Sequence, residues 1–405
     1  MNRNKWITPE GTRDLLFEEC EARRTVERIL SKVFSGRGFT EVVTPGLEFL
    51  DLYDLKAGSM PVERMYKLTD SKGRLIVMRP DSTIPIARLV STRLKGCQLP
   101  VRLFYNQSVF TSNPGLKGRS DEIVQTGIEI IGSDSRRADL EVMTTAVEAL
   151  GACNVSDFRL EIGHIGLFHS LISSLRLGAE EQEEIRLLIE GKNYPALNDY
   201  LDEICANGGD RKTVEVLKQL PRLFGGEEVF DKAANLFDDA KTEYILSYLR
   251  SIYHDLAALG MKEKISVDLG IVNRNDYYTG VVFRGYIEGF GETVLSGGRY
   301  DTLLSEFGAD LPATGFGVNV DAVARSLLKS SGTAARVPDV LVFGADGYEM
   351  KALLHAKALI DSGLVAEYCV LNTAEKAKEY AAAKQIPRVD IVGEETESFS
   401  GKERP

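Results

Sequence analysis

The sequence predicts an α+β fold: an antiparallel sheet flanked by helices, interrupted by a helical insertion and followed by a small α/β domain. Three observations predict it. Strand-like runs and amphipathic stretches share residues 1–328, and a charged, leucine-rich tract without strand text fills residues 167–261. Residues 339–405 then give the order strand, helix, strand, helix, strand. At 405 residues the chain can bury a large core and is expected to hold more than one domain.

Residues 12–34 carry Leu15, Leu16, Val26, Ile29, Leu30, Val33 and Phe34 at helical spacing, and Gly36 and Gly38 stop the pattern, so one long amphipathic helix is expected. A short β-rich run over residues 39–45 closes at Pro45. Residues 65–78 read as a hairpin turning at Asp70-Ser71-Lys72-Gly73, and further strands are expected at 101–105, 123–131, 158–162, 265–269, 280–287 and 293–296. The insertion is punctuated by Asn207-Gly208-Gly209-Asp210 and Gly225-Gly226, and its charge runs read as solvated helix faces. A small-residue linker over 329–338 leads to strand 339–344, helix 348–360, strand 366–370, helix 374–384 and strand 389–393, an order that implies a small parallel sheet. The polar tail from Glu394 is expected to fray.

Composition excludes several classes of function. Net charge is −11 with a pI of about 5.2, whereas affinity for nucleic acid comes largely from Lys and Arg neutralising phosphates. The last domain does not supply a local exception, since residues 336–405 hold nine Lys and Arg against twelve Asp and Glu. Nucleic acid is therefore not an expected partner. No run reaches the roughly 18 apolar residues that cross a bilayer, and the start lacks an apolar signal core, so a cytoplasmic location without membrane contact is expected. Cys20, Cys97, Cys153, Cys205 and Cys369 are scattered, and His164, His169, His254 and His355 show no ligand spacing. Neither a disulfide framework, a metal site nor a cofactor is expected.

Four segments carry the functional signal. They are Met78-Arg79-Pro80-Asp81-Ser82-Thr83; the run 109–129, which includes Thr111, Asn113, Arg119, Gln125 and Glu129; Asn273-Arg274-Asn275-Asp276-Tyr277-Tyr278-Thr279-Gly280 with Ser296-Gly297-Gly298-Arg299-Tyr300-Asp301; and 315–322, ending in Asp321-Ala322. Taken singly, Tyr277 and Tyr278 read as sheet-packing aromatics and Asp81 and Glu129 as members of structural ion pairs. In this order the segments resemble the histidyl-tRNA synthetase family of class II aminoacyl-tRNA synthetases over nearly the whole chain.

That resemblance implies a histidine-binding pocket. Asp81 would accept the α-ammonium with Thr83 orienting it, Glu129 would accept an ammonium or imidazole nitrogen, Gln125 would offer an amide, and Tyr277 and Tyr278 would form walls. The long first helix would build a homodimer interface. The same resemblance marks lost positions: Thr111, Asn273 and Ala322 stand where the family has arginines at the α-phosphate, the substrate carboxylate and the γ-phosphate. Adenylation joins two anions, and removing one such preorganised group costs on the order of 100-fold to 1,000-fold in rate. With three gone, the reaction is not expected to survive.

A synthetase-like chain with these losses resembles the regulatory subunits of ATP phosphoribosyltransferase. This implies a non-catalytic role beside a short-form catalytic subunit at the first step of histidine biosynthesis, with histidine as feedback effector. A divergent synthetase and a free-standing histidine sensor remain alternatives, and histidine has two possible seats, this pocket or the junction with the partner.

Overall fold

The computed structural model describes residues 3–55, 61–113, 120–155, 157–237, 239–272, 277–331 and 337–400. The first helix, α1 (Phe17–Gly36), begins five residues later than its periodicity predicts. Ala22, Val26, Leu30 and Phe34 form its buried apolar stripe, with Glu27 buried beside it, whereas Leu16 is 59% exposed and extended. The backbone ahead of it is used elsewhere: the Gly11 carbonyl accepts the Asp121 N–H at 2.7 Å and the Ser120 hydroxyl at 2.9 Å. That tie holds the segment out of the helix.

Strand β1 (Thr40–Glu41) follows, then β2 (Leu47–Phe49), β3 (Lys67–Thr69) and β4 (Leu75–Met78), the last three forming a separate antiparallel sheet in the order β2-β4-β3. The β3–β4 turn falls where expected: Asp70 Oδ1 accepts the Lys72 and Arg74 N–H groups, both at 2.9 Å. Gly73 takes the positive φ of 76° that the turn requires. Helix α2 (Thr83–Arg93) leads to β5 (Val101–Phe110) and β6 (Glu122–Ile131), paired from Val101↔Ile131 to Phe110↔Glu122. Helix α3 (Arg136–Ala152) is N-capped by Ser135, and β7 (Phe158–His164) follows.

Six helices come next: α4 (Ile165–Leu175), α5 (Ala179–Glu190), α6 (Tyr194–Ala206), α7 (Arg211–Gln219), α8 (Glu228–Ala234) and α9 (Ala240–Leu256). They bury a common apolar core that includes Leu197, Leu201, Val214, Leu217, Phe230 and Leu249. A two-residue strand, β8 (Phe224–Gly225), lies between α7 and α8. The chain then adds β9 (Ile265–Asp268), β10 (Val281–Ile287), β11 (Thr293–Arg299), β12 (Ala313–Asn319) and α10 (Val320–Ser331).

The resulting nine-stranded sheet has the order β1-β5-β6-β12-β11-β10-β7-β9-β8. It is mixed rather than wholly antiparallel, because β1 pairs with β5, and β7 with β9, in parallel. Parallel neighbours need a long crossover, and the six-helix tract is the crossover from β7 to β9. One sheet face packs on α1, α3 and α10 through Phe34, Phe104, Phe283 and Phe316, whose rings meet at 5.8–6.2 Å between centroids. The other face carries a second apolar cluster containing Tyr105, Tyr277, Tyr278 and Tyr300.

The chain divides into two compact units, Met1–Gly332 and Thr333–Pro405. The second contains β13 (Val340–Gly344), α11 (Glu349–Asp361), β14 (Ala366–Tyr368), α12 (Ala374–Lys384), β15 (Arg388–Val392) and β16 (Thr396–Ser400). Its order is β14-β13-β15-β16, with the first three strands parallel. Here the structure corrects the expectation of a frayed tail: β16 runs antiparallel to β15 from Thr396↔Val392 to Ser400↔Arg388. The physical reason is Phe399, which reaches the apolar cluster beside α12 and lies 3.6 Å beneath the Lys378 ammonium.

Candidate functional site: an acid-lined pocket

Alternation along β6 separates the two faces of the sheet. Ile128 and Ile130 enter the core under α1, so Glu129, and Gln125 four residues earlier, point the other way. Asp81 and Thr83 arrive above them at the start of α2, where Asp81 Oδ1 accepts the Ile84 N–H at 2.8 Å. Together with Tyr277 and Tyr278, these residues line a cavity of about 300 Å³, mouth included. All six residues singled out from the sequence thus meet in one place.

The electrostatics of the pocket are unusual. Glu129 is 1% exposed, and its carboxylate is held by two neutral donors, the Thr83 hydroxyl at 2.8 Å and the Tyr300 hydroxyl at 2.5 Å. Burial pushes its pKa up to about 8 despite those two bonds, with Asp81 adding to the rise. Burial also pushes Asp81 up to about 6, opposed by the N–H groups of Ile84 and Thr83 and by the charge of Arg79. Arg79 is itself committed: its guanidinium donates to the carbonyls of Thr44, Pro45 and Ser108. No Lys or Arg occurs among the described lining residues.

Tyr300 packs edge to face on Tyr277 and Tyr278, whose own rings are tilted by 44° to each other. Ring centroids lie 4.8 Å apart for Tyr277–Tyr278 and 5.6 Å for Tyr277–Tyr300, and burial raises all three hydroxyl pKa values. The Tyr105 hydroxyl donates to Gln125 Oε1 at 3.3 Å, which sets the orientation of that amide. Glycines make the floor possible: a Cβ on Gly315 would stand 1.8 Å from Glu129 Oε2, and one on Gly317 would stand 2.7 Å from Gln125 Nε2.

Three side chains with hydroxyl groups in the lining, Tyr105, Ser296 and Tyr300, escaped the pocket set expected from the sequence. Ser296 and Tyr300 lie within a motif already singled out, and period-2 alternation from that motif was the available signal. Tyr105 carries no local signal, since it faces the pocket only through the pairing of β5 with β6. Of the three lost positions, Thr111 lies just past β5 with its hydroxyl 3.5 Å from the Pro80 carbonyl, outside the lining set. Ala322 is fully buried in the first turn of α10 within the core under α1. Its neighbour Asp321 is tied to Arg23 and to the Val124 N–H. Asn273 falls outside the described residues, as do Arg119 and Arg274.

Fold and pocket together define a protein built on the histidyl-tRNA synthetase scaffold. A sequence profile described as histidyl-tRNA synthetase matches residues 11–323. The crystal structure of histidyl-tRNA synthetase from Nostoc sp. superposes with a TM-score of 0.78 at 19% identity, covering 98% of this chain and 97% of that one. Within that class, the chain is 41% identical over 394 residues to an ATP phosphoribosyltransferase regulatory subunit of Clostridium kluyveri, covering 96% of this chain and 100% of that one. A protein of the same description from Bacillus cereus is 38% identical, with 98% and 94% covered. A crystal structure titled as an ATP phosphoribosyltransferase regulatory subunit/histidyl-tRNA synthetase from Bacillus halodurans superposes with a TM-score of 0.81 at 28% identity, covering 93% and 96%. The chain belongs to the family of ATP phosphoribosyltransferase regulatory subunits.

Among the described residues, no helix is long and apolar enough to cross a membrane. No group of three or more His, Cys, Asp and Glu side chains among them is placed to hold a metal ion.

Proposed function

We propose that this chain is a non-catalytic regulatory subunit that assembles with a short-form catalytic ATP phosphoribosyltransferase and supports the first step of histidine biosynthesis. Free histidine is its effector, and the pocket described above is the seat. The observation that carries this reading is the pair of pocket carboxylates, the half-buried Asp81 and the buried Glu129, with no cation among the described lining residues. Two desolvated acids attract the ammonium and imidazole of an amino acid and repel a polyphosphate. Asp81 takes the ammonium, Glu129 and Gln125 take a ring nitrogen or the ammonium, and Tyr277 and Tyr278 cover the ring. The synthetase-like unit forms a homodimer, and neither nucleic acid nor a membrane is a partner.

Histidine lowers the activity of the assembly only to the extent that it binds one state of it better than another. Co-expression with a short-form catalytic subunit tests the proposal. The two chains are expected to co-purify, to show phosphoribosyl transfer that the catalytic chain alone lacks, and to lose histidine inhibition in Asp81→Ala. If the chains neither co-purify nor alter each other's activity, the regulatory role fails; rapid histidine-dependent exchange of pyrophosphate into ATP by this chain alone would end the non-catalytic reading.

A further inference from the structure

A second polar cleft lies further along the sheet, between its outer strands and the helical insertion. It encloses about 750 Å³, mouth included, and its lining contains none of the amino-acid pocket's residues. Its floor comes from three neighbouring strands. Glu161 on β7 stands opposite Arg284 on β10 and beside Ser266 on β9, and Asp268 lies two residues further along the same face. Lys192 and Tyr194 from the α5–α6 connection, with Pro221 and Phe224 beyond α7, supply the facing wall.

The polar groups of this floor are incompletely satisfied among the described residues. Glu161 faces the cleft without a hydrogen bond or ion pair, and burial together with nearby Asp268 pushes its pKa up to about 7, against the charges of Lys192, Arg284 and Arg159. Ser266, beside Glu161 but behind the lining itself, is 2% exposed, and its hydroxyl has no partner. Asp268 accepts only the Gly270 N–H, at 2.9 Å, and its pKa is raised by burial. The exposed Lys192 ammonium makes no ion pair, while Arg284 donates to the Val272 carbonyl. Burying polar groups without partners costs free energy. This floor therefore favours a ligand that brings a cationic donor to the two acids and an anion to Lys192. Tyr194, Phe224 and Tyr286 add aromatic surface around them.

The cleft is also preformed. A Cβ on Gly163 would lie 2.3 Å from the Asp268 carbonyl, and one on Gly270 would lie 2.9 Å from Pro221 Cα, so the backbones around it are in close contact. We infer that the cleft is a second effector site, taking a free amino acid with an aromatic side chain: ammonium between Glu161 and Asp268, carboxylate on Lys192, ring against Tyr194, Phe224 and Tyr286. Ile271 and Val272 line this cleft, and Ile271 packs in the same apolar cluster as Tyr277 and Tyr278. Occupancy here is thereby linked to the walls of the amino-acid pocket.

The test uses the full chain carrying Asp81→Ala, which separates this site from the first. Isothermal titration with L-histidine, L-phenylalanine, L-tyrosine and L-tryptophan is expected to find at least one that binds this variant as tightly as wild type, with net proton release near pH 7. Adding Glu161→Gln, a neutral isostere, or Lys192→Met at an exposed position is expected to weaken that binding at least tenfold. Phenethylamine and 3-phenylpropionate, each lacking one charge, are expected to bind at least tenfold more weakly than phenylalanine. The inference is overturned if none of the four amino acids binds the Asp81→Ala chain, or if Glu161→Gln and Lys192→Met both leave binding unchanged while melting as wild type does.

Discussion

Two buried carboxylates on opposite sides of one strand end meet opposite fates. Arg299 turns toward α3, where its guanidinium bonds both oxygens of Asp139 at 3.0 and 3.1 Å and the Tyr248 hydroxyl donates to the same carboxylate. Its neighbour Tyr300 turns to the other face and offers Glu129 only a hydroxyl. Asp139 thus has its countercharge built in, while Glu129 has none among the described residues and is driven toward its protonated form. The first arrangement is scaffold; the second is the one on which the proposed histidine site rests. Asp390 in the smaller unit repeats the scaffold case: burial alone would raise its pKa, but bonds from Arg388, His355 and Ser398 bring it below the ordinary value.

The contrast breaks most easily at Asp139. Asp139→Ala removes the fully buried partner of Arg299 and leaves it only the half-exposed Asp301 as an ion-pair partner, and a loss of about 3 kcal/mol is expected in chemical denaturation. A loss under 1 kcal/mol would mean that this pair is not the scaffold element it resembles.

At the pocket, Asp81→Ala is expected to weaken histidine about 100-fold in calorimetry, since truncating one partner of a buried charge pair costs roughly 2–5 kcal/mol. Stability should respond far less than in the Asp139 variant. Unchanged affinity would move histidine out of this pocket.

pH sharpens the comparison. The pKa of Glu129 is raised in the folded state from its ordinary 4.5 to about 8, so the folded chain holds a proton that the unfolded chain has released across that window. Its contribution to stability is full below 4.5 and is lost as pH rises toward 8, by up to about 1.4 kcal/mol per pH unit. Glu129→Gln stays neutral throughout, so its stability relative to wild type is expected to climb from pH 5 to pH 8. Parallel pH profiles for the two chains would refute the raised pKa.

The smallest effect is expected at Tyr278→Phe, where one hydroxyl is removed and the ring is kept. Histidine affinity should fall about threefold to tenfold, the range of a single hydrogen bond.

Much of this architecture was readable from local pattern. Strand–helix order and the hairpin turn at Asp70–Gly73 follow from periodicity and turn chemistry, because a half-buried strand or helix writes its buried face into the sequence, whereas the six pocket residues follow from the resemblance of their segments to those of histidyl-tRNA synthetases. The start of α1 did not follow, since the Gly11 carbonyl is claimed by residues more than 100 positions away. Nor did β16, whose polar text forms a strand only because β15 offers it an edge.

By itself, the sequence determined which residues could serve: two acids, an amide, two tyrosines, and no arginine at Thr111, Asn273 or Ala322. Only the tertiary structure decided what those residues became. Desolvation and pairing depend on neighbours distant in the chain, as Thr83, Glu129 and Tyr300 are from one another. A pKa near 8 arises from that enclosure rather than from any local motif. The second cleft depends on folding for the same reason, because Glu161, Lys192, Asp268 and Arg284 have no sequence spacing in common and meet only once β7, β9 and β10 lie side by side under the insertion.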